Sequence, residues 1–335
     1  MLNSKNRKIL IVADALANCM PASDTSLAIA QGAISNGFLV YWCESRHINI
    51  YNRDVEIEKL IQVKSVSVQK VDFEKINDEI LPNGKSLNQF EYVFIRKDPP
   101  FDEAYKDLCW ILGTQTNIKI INSPSSLLTH HEKSLPYFLY NSEIIQEGNL
   151  TATCVSSDIK VIKRFCSNLP EKIVSKPWLG HAGRGVELHN SYSDLVTFLD
   201  NQEKLDTQFL AKPIIFQEFI KDIATVGDRR VIVVNGEYFC DFVRIPATGK
   251  IESNLAQGGT AELRPMNSEL RLLVDNIAAF LKKQGIVLAG LDLIGNKVSE
   301  INITSPTGIR AAEKLLNKEL CLNFFENLTR NQDAL

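Results

Sequence analysis

Short apolar runs alternate with amphipathic segments over the first part of the chain. The runs have the length of buried strands, and the segments between them have the residue pattern of helices. Asp24 is placed to cap one such helix and Gly37 to end it. Strand, helix and strand in repetition predict a doubly wound parallel sheet, whose functional groups gather at the carboxyl ends of the strands. The predicted strands are 8–13, 38–43, 92–95 and 119–122, and the predicted helices are 24–35 and 103–112.

The pattern changes near Ser123 and Pro124, where a helix that carries Lys133 follows. Further along, the dipeptide Asn235-Gly236 is the strong turn signal of a β-hairpin. The elements predicted in this part are the helix 126–140, the strand end 173–177 before a glycine-rich loop, the helix 193–199, the strand 214–220, the hairpin 229–239 and the helix 268–283.

The segment 290–307 places two carboxylates and a carboxamide on a predicted β-hairpin, since apolar and polar residues alternate there. Glu300 and Asn302 lie two apart and therefore project to one face of their strand. A three-residue loop at 295–297 sets Asp292 opposite Glu300, whereas a two-residue turn moves Glu300 to the other face. Convergent hard oxygen ligands suit Mg²⁺, or Mn²⁺, held together with substrate phosphates. The segment predicts chemistry on a nucleotide triphosphate, and an ordinary hairpin with a polar outer face is the alternative.

Two loops carry further candidate chemistry. Lys176 precedes a loop with three glycines, whose backbone N–H groups could close around phosphate oxygens, and a purely structural glycine turn is the alternative. The loop is not a P-loop, because the lysine comes before the glycines. The second loop, 96–102, carries an Arg, a Lys and two Asp after a strand, and its two prolines enforce the loop conformation. With Asp14, which follows the first strand, it could bind a zwitterionic substrate or simply be a solvated connection.

The roles of three cationic residues and of one further loop depend on the motifs that accompany them. Lys133 on a helix is most simply a solvated surface lysine, and Arg230 and Arg244 in strands are most simply partners of nearby carboxylates. The functional alternative is that these side chains bind phosphate or a substrate carboxylate. The polar, glycine-bearing loop 248–260 lies between ordered elements, as mobile lids commonly do.

Composition narrows the class of protein. The chain has 335 residues, which suggests two or three domains, and 44% hydrophobic and 23% charged residues are ordinary for a globular enzyme. A net charge of −3 disfavours a general nucleic-acid binder. Seven cysteines without paired CxxC spacing indicate a reducing compartment. The first apolar run is too short for a signal core or a membrane span, so we expect a cytoplasmic protein without nucleic-acid or membrane partners. A homo-oligomeric assembly is left open.

Several short motifs follow one another in an order that resembles the ATP-grasp superfamily and, more closely, the prokaryotic glutathione synthetase family. They are Arg-Lys-Asp-Pro-Pro-Phe-Asp at 96–102, Ile-Asn-Ser-Pro at 121–124, Glu-Lys at 132–133, Gly-Asp-Arg-Arg-Val at 227–231, Val-Arg-Ile-Pro at 243–246, Asn-Leu-Ala-Gln-Gly-Gly at 254–259 and the whole of 290–307. The resemblance covers nearly the whole chain. It implies an α/β fold in which an N-terminal doubly wound parallel-sheet (pre-ATP-grasp) domain is followed by a two-lobed α+β ATP-grasp unit. The implied boundaries are 1–124 for the first domain and 125–335 for the second, with lobes at about 125–210 and 211–335, a lid at about 248–260 and a metal hairpin at 290–303.

The resemblance also implies roles for individual residues, with ATP bound between the two lobes. The implied phosphate-binding residues and loop glycines are Lys133, Lys176, Gly180, Gly183 and Gly185, and the strand edge that holds adenine is Gln217, Glu218, Phe219 and Ile220. The implied catalytic residues are Arg230 and Arg244, and the implied metal ligands are Asp292, Glu300 and Asn302. The implied substrate-binding residues are Asp14, Asp24, Ser26, Arg96 and Asn254.

The family's reaction joins γ-glutamylcysteine to glycine through an acylphosphate formed with ATP, so the implied partners are these small molecules, with another amine in place of glycine as a variant. The chain departs from the family pattern after Asp14, where the family's proline is missing, and in two loops. Glu252 stands where the lid usually carries an arginine, and the loop Gly-His-Ala-Gly-Arg-Gly differs from the usual Gly-x-Gly-Gly. Two alternatives therefore stay open: a ligase of the same family with a different amino-acid or peptide acceptor, and an inactive nucleotide-binding regulatory paralogue.

Overall fold

The computed structural model describes residues 7–76, 86–180, 183–205, 212–247 and 258–329. Within them the strands are β1 Lys8–Val12, β2 Leu39–Cys43, β3 Ile48–Tyr51, β4 Asp54–Ile57, β5 Leu60–Val66, β6 Val71–Ile76, β7 Tyr92–Ile95, β8 Lys119–Ile121, β9 Thr153–Ser156, β10 Ile173–Pro177, β11 Glu187–His189, β12 Ile214–Glu218, β13 Asp228–Val234, β14 Glu237–Ile245, β15 Thr260–Glu262, β16 Leu288–Ile294 and β17 Lys297–Asn302. The helices are α1 Thr25–Ser35, α2 Glu103–Gly113, α3 Pro124–Thr129, α4 Leu135–Asn141, α5 Ile159–Cys166, α6 Tyr192–Leu205, α7 Ile223–Val226, α8 Ser268–Lys283, α9 Ile309–Leu316 and α10 Leu320–Thr329.

The N-terminal part of the chain builds a six-stranded sheet in the order β6-β5-β2-β1-β7-β8. Strands β2, β1, β7 and β8 run parallel, which confirms that part of the predicted sheet. Strands β5 and β6 extend one edge in antiparallel orientation, which the sequence pattern did not indicate. The reason is their composition, because β6 has no buried residue and so lacks the apolar run that marks a buried strand.

Helix α1 follows the carboxyl end of β1 and packs closely against α10. Asp24 caps the helix as predicted, and its side chain accepts a hydrogen bond from Leu27 N at 2.9 Å. Gly32 permits the close approach, since a Cβ at this position would lie 2.0 Å from the carbonyl oxygen of Cys321. A substitution at Gly32 would therefore separate the two helices.

Two antiparallel sheets follow the six-stranded sheet along the chain. One has the order β11-β10-β12-β9, and the other has the order β15-β14-β13-β16-β17. Asn235 and Gly236 join β13 to β14 with φ angles of 51° and 82°, as the turn signal predicted. Among the described residues, none of the helices combines the length and the apolar character that crossing a bilayer requires.

The prediction of one continuous helix over 126–140 is wrong, because the helix is interrupted in the middle of this range. The structure has two short helices, α3 and α4, and Lys133 lies in the turn between them. The turn is closed by hydrogen bonds from Ser134 N and Leu135 N to the carbonyl oxygen of His131. The turn also binds β17, because the carbonyl oxygen of Glu132 accepts a hydrogen bond from Ile301 N, so a tertiary contact overrides the local helical pattern. By contrast, the predicted helix 193–199 is longer than expected and extends to Leu205.

The hairpin β16–β17 has the predicted register but not the predicted loop. Asp292 lies opposite Glu300, and Gly290 lies opposite Asn302. The connection is a two-residue turn, because Ile294 pairs directly with Lys297. The additional residue is Ser299, which forms a β-bulge in β17 and returns Glu300 to the face of Asp292. The prediction of a three-residue loop was therefore wrong, although the facing of the two carboxylates is confirmed.

Candidate active site

A cavity of about 220 Å³ lies between the two antiparallel sheets. Strands β10 and β12 contribute one wall, and β13, β14, β16 and β17 contribute the other. Most of the predicted site residues reach the cavity, and the others that the structure describes do not line it. Those lining it are Lys133, Lys176, Gly180, Gly183, Gln217, Glu218, Phe219, Ile220, Arg230, Arg244, Asp292, Glu300 and Asn302. Those not lining it are Asp14, Asp24, Ser26, Arg96 and Gly185.

Asp292 is the centre of a buried polar network on one wall. Arg230 binds its carboxylate through two N–H groups, with Nε 2.6 Å from Oδ1 and Nη2 3.0 Å from Oδ2. Arg244 Nη2 lies 3.0 Å from Oδ1, and Asn302 Nδ2 donates to Oδ2 at 3.1 Å. Burial by itself raises the pKa of Asp292, but the charges of Arg230 and Arg244 outweigh this effect and hold the pKa below its ordinary value. Asp292 is therefore ionised and held in one orientation.

Strand register creates this network. Arg230 lies opposite Asp292 on neighbouring strands, and Arg244 lies opposite Asp228. Arg244 Nη2 is 2.5 Å from Asp228 Oδ2. Burial lowers the pKa of Arg244, but the charges of Asp228 and Asp292 reverse this and raise it. Asp228 was not among the predicted site residues, although its position two residues before Arg230 places both side chains on one face of β13.

Lys133 reaches the cavity from the turn between α3 and α4. Its Nζ lies 3.1 Å from Glu300 Oε1 and also donates a hydrogen bond to the carbonyl oxygen of Gly180. One ammonium group thus joins the hairpin carboxylate to the glycine-rich loop. The preceding residue, Glu132, was not predicted as a site residue. Burial, followed by the charge of Glu300, raises the pKa of Glu132.

Lys176 approaches the same cavity from β10. Its ammonium group has no hydrogen bond and no ion pair with any residue that the structure describes. Burial lowers the pKa of Lys176, and the charge of Glu300 opposes that shift. The loop after β10 needs glycine at position 185, where φ is 73° and a Cβ would lie 3.0 Å from Pro177 Cγ. An unpartnered cation beside such a loop is suited to an anionic ligand.

The end of β12 forms a partly apolar side of the cavity. Gln217 Nε2 donates a hydrogen bond to Thr153 Oγ1 at 2.8 Å, which fixes its side chain. Beyond Glu218 the chain leaves the sheet, and Phe219 N donates to the carbonyl oxygen of Lys172 at 3.0 Å. An apolar surface beside backbone polar groups is suited to a ligand that is partly apolar and partly hydrogen-bonding. Nine lining residues were not predicted as site residues: Thr151, Val174, Pro177, Arg184, Val186, Ile223, Asp228, Ile294 and Ser299.

The residues on the hairpin fit a divalent cation by their donor chemistry. No group of three His, Cys, Asp or Glu residues gathers at a metal site in the described part of the chain, and the set here is two carboxylates and a carboxamide. Glu300 Oε2 and Asn302 Oδ1 accept no hydrogen bond from a described residue, so both oxygens are available. Asp292 is ionised, but its two oxygens already contact the N–H groups of Arg230, Arg244 and Asn302.

The balance of charge around the cavity also fits a metal. Among the described residues, five cationic and four anionic side chains line it. This near balance leaves most of the negative charge of a nucleotide triphosphate to be offset by another cation. Mg²⁺ is the cation that combines a few carboxylate ligands with substrate phosphates.

A second group of predicted residues lies at the carboxyl edge of the six-stranded sheet. Arg96 is buried and donates from Nε to Ser26 Oγ at 3.0 Å, while its Nη1 has no hydrogen-bond partner among the described residues. Burial lowers the pKa of Arg96, and the charges of Asp24 and Asp98 oppose this shift. Asp14 accepts a hydrogen bond from the backbone N–H of Asp98 at 3.1 Å. Acidic and basic groups thus meet at this edge of the sheet.

The chain after β17 connects the two groups of residues, and we call residues 303–308 the connecting segment. Ser305 Oγ donates to Asp98 Oδ1 at 3.1 Å, which ties the segment to the edge of the six-stranded sheet. Arg230 Nη1 donates to the carbonyl oxygen of Thr307 at 2.9 Å, which ties it to the cavity. The sequence analysis assigned no role to these contacts.

Some predicted features lie outside the described residues. They include Asn254, Glu252 and the rest of 248–257, which is most of the predicted lid. Residues 181–182 of the glycine-rich loop also lie outside them. The lid and the roles of these residues stay predictions.

Two family models match the chain in succession. The model of the prokaryotic glutathione synthetase N-terminal domain matches residues 8–127, and the model of the prokaryotic glutathione synthetase ATP-grasp domain matches residues 143–317. Curated relatives match over nearly their full length. The glutathione synthetase of Prochlorococcus marinus subsp. pastoris is 30% identical over 328 residues, covering 96% of this chain and 98% of its own. That of Wigglesworthia glossinidia brevipalpis is 31% identical over 314 residues, covering 92% and 93%.

Solved structures share the fold at much lower identity. D-cycloserine synthetase DcsG is similar with a TM-score of 0.65 at 14% identity, covering 96% of this chain and 98% of its own. The ATP-grasp ligase PsnB, solved with a variant of its minimal precursor, Mg and ADP, is similar with a TM-score of 0.61 at 14% identity, covering 97% and 98%. These likenesses establish an ATP-grasp fold.

Proposed function

Because the chain belongs to the prokaryotic glutathione synthetase family, whose members are ATP-dependent ligases, we propose that it joins γ-L-glutamyl-L-cysteine to glycine and converts ATP to ADP and phosphate. The observation that carries the proposal is the meeting of Lys133, Lys176, Asp292 and Glu300 at one cavity. Two cations, two carboxylates and a partly apolar wall are what a nucleotide triphosphate with its metal requires.

In this proposal the chain has an N-terminal domain at 1–124 and an ATP-grasp domain at 125–335, whose lobes are 125–210 and 211–335. The order of the sheets supports this division, since the six-stranded sheet ends with β8 and the two antiparallel sheets use only later strands. The nucleotide lies between the lobes, where the cavity is.

ATP would place its adenine beside Glu218, Phe219 and Ile220 and its phosphates beside Lys133 and Lys176. Lys176 is available for phosphate, because no described residue pairs with it. Lys133 uses its ammonium for Glu300 and Gly180 and keeps one of its three donors for a phosphate oxygen. The free oxygens of Glu300 and Asn302 would hold Mg²⁺, which would supply positive charge to offset that of the phosphates.

In the first step, a cysteine carboxylate oxygen of the dipeptide attacks the γ-phosphorus of ATP. The bond from the γ-phosphorus to the bridging oxygen breaks, and ADP leaves with that electron pair. Arg230 and Arg244 offset the negative charge that builds on the transferred phosphoryl group. Their guanidinium groups are already oriented by Asp292 and Asp228, so little reorganisation accompanies the reaction.

In the second step, the glycine amine attacks the acyl carbon of the acylphosphate. Phosphate leaves with the former carboxylate oxygen, and the amine loses a proton as the peptide bond forms. Arg96, Asp14 and Asp24 would hold the zwitterionic end of the dipeptide, together with Ser26 and Asn254. The free Nη1 donor of Arg96 supports this assignment, since a substrate carboxylate would satisfy it. A closed lid would keep water from the acylphosphate.

A different amine acceptor is the second candidate function. The departure that favours it is Glu252 in the predicted lid, because a carboxylate there suits a cationic acceptor better than it suits an acylphosphate. The purified chain with ATP and Mg²⁺ should release phosphate only when γ-glutamylcysteine and an amine are both present. We expect glycine to give the fastest release in a panel of amino acids, with glutathione as the product by mass spectrometry. Faster release with another amine would establish the second function, and ATP binding without release for any amine would indicate a regulatory protein.

A further inference from the structure

Glu132 precedes Lys133 directly, yet its side chain leads away from the cavity to the end of the β16–β17 hairpin. Its Oε1 accepts hydrogen bonds from Ile303 N at 2.9 Å, Thr304 N at 3.0 Å and Thr304 Oγ1 at 2.8 Å. A carboxylate that accepts two successive backbone N–H groups fixes the direction of the chain that carries them. Glu132 thus holds the point where β17 passes into the connecting segment.

The backbone of Glu132 makes a second contact with the same strand. Its carbonyl oxygen accepts a hydrogen bond from Ile301 N at 3.2 Å. Ile301 lies between Glu300 and Asn302, which present the free oxygens of the hairpin. Because the main chain of Glu132 binds β17 and its side chain binds the first residues of the connecting segment, a shift of Lys133 relative to Glu300 would break these contacts.

The turn that carries Lys133 has little internal structure to orient it. The hydrogen bonds that close the turn all go to the carbonyl oxygen of His131, from Ser134 N, Ser134 Oγ and Leu135 N. These contacts shape the turn but do not direct Lys133 towards the cavity. The anchoring through Glu132 therefore fixes the backbone from which the Lys133 side chain extends to Glu300 and Gly180.

We propose that Glu132 is a positioning residue for the nucleotide phosphates. It holds the backbone of Lys133 close to Glu300. The ammonium group of Lys133 can then contact both the hairpin and the glycine-rich loop. This inference rests on the proposed function in one respect, which is that the bound anion is the phosphate chain of ATP. The same anchor lies beside Ser305, so it also fixes the start of the connecting segment that reaches Asp98.

The test compares Glu132→Ala and Glu132→Gln with the wild-type chain. Calorimetric titration with ATP and Mg²⁺ gives nucleotide affinity without requiring turnover. We expect Glu132→Ala to weaken ATP binding and to raise the KM for ATP about tenfold, the effect of one displaced charge-assisted contact. The KM for the dipeptide should change much less. Glu132→Gln keeps an acceptor oxygen and should recover most of the affinity.

Glu313→Gln is a matched control that is remote from the cavity. Glu313 is a buried residue whose carboxylate, like that of Glu132, accepts a backbone hydrogen bond, here from Cys321 N at 2.8 Å. This change should lower the thermal stability and leave ATP affinity unchanged. If both Glu132 variants fold and behave like this control, with ATP affinity and the two KM values as in the wild type, Glu132 is merely structural and the inference is overturned. Weakened ATP binding in Glu132→Ala, in a chain that makes no glutathione, would support the inference while the proposed function fails.

Discussion

Replacing Lys176 with methionine should weaken ATP binding without destabilising the fold. The ATP affinity and the melting temperature of this variant therefore distinguish ligand binding from folding. Lys176 has no partner among the described residues, and burial lowers its pKa. The folded protein therefore binds this proton less tightly than the unfolded chain does. The resulting loss of stability is present at neutral pH and disappears only as the pH rises past the unfolded pKa, roughly 10.4. Methionine has a similar length without the charge, so Lys176→Met should keep or raise the melting temperature of the ligand-free protein.

The same change should weaken ATP binding strongly. A charge-assisted hydrogen bond to a phosphate contributes roughly 1.5–3 kcal/mol, so the dissociation constant should rise roughly 10- to 150-fold. Calorimetric titration with ATP and Mg²⁺ measures the affinity, and thermal unfolding without ligand measures the stability. Lys160→Met, an exposed lysine on α5, is the matched control and should change neither quantity. A lower melting temperature with unchanged ATP affinity would refute the reasoning, since Lys176 would then stabilise the fold and not the ligand.

Three further changes test the rest of the site. Glu300→Gln removes one charge from the predicted metal site and should lower kcat by orders of magnitude with an unchanged circular dichroism spectrum; normal turnover at saturating Mg²⁺ would contradict the metal role. Asp292→Ala leaves Arg230 and Arg244 without their shared carboxylate and should lower the free energy of unfolding by about 3–5 kcal/mol in urea titrations, and a loss below about 1 kcal/mol would show that the network is not stabilising. Because the folded pKa of Asp292 lies below the unfolded value of roughly 3.9, this contribution should be constant between neutral pH and about pH 5 and decline only as the pH falls through the folded pKa. Glu252→Arg in the predicted lid should raise turnover with glycine if the carboxylate repels the phosphates, and should lower turnover with a basic acceptor if the carboxylate holds that acceptor's amine; turnover unchanged from the wild type with both acceptors would show that the lid charge has no role.

For the hairpin β16–β17, the sequence predicted which side chains share a face but not the details of the backbone. The alternation of apolar and polar residues was sufficient to place Asp292 and Glu300 on one face. It was not sufficient to locate the additional residue, which lies in the strand at Ser299 and not in the loop. A bulge in the strand and a longer loop both place Asp292 and Glu300 on the same face of the hairpin. The choice between them depends on local backbone energies and packing, which the alternation of apolar and polar residues does not specify.

Tertiary contacts explain the other differences. The break in the predicted helix around Lys133 depends on Glu132 binding the backbone after β17, some 170 residues away along the chain. The pairing of Arg244 with Asp228 and Asp292 depends on strand order within the five-stranded sheet, which local patterns do not specify. By contrast, helix α8 has the predicted bounds, because its amphipathic pattern and its cap at Asn267 are local signals.

Oxygen transfer from the dipeptide to phosphate tests the proposed chemistry most directly. The cysteine carboxylate of γ-glutamylcysteine would be labelled with ¹⁸O and incubated with the enzyme, ATP, Mg²⁺ and glycine. Because the attacking carboxylate oxygen leaves with the phosphoryl group, each phosphate released should carry one ¹⁸O atom by mass spectrometry. Glutathione formation with unlabelled phosphate would contradict an acylphosphate and with it the proposed ligase mechanism.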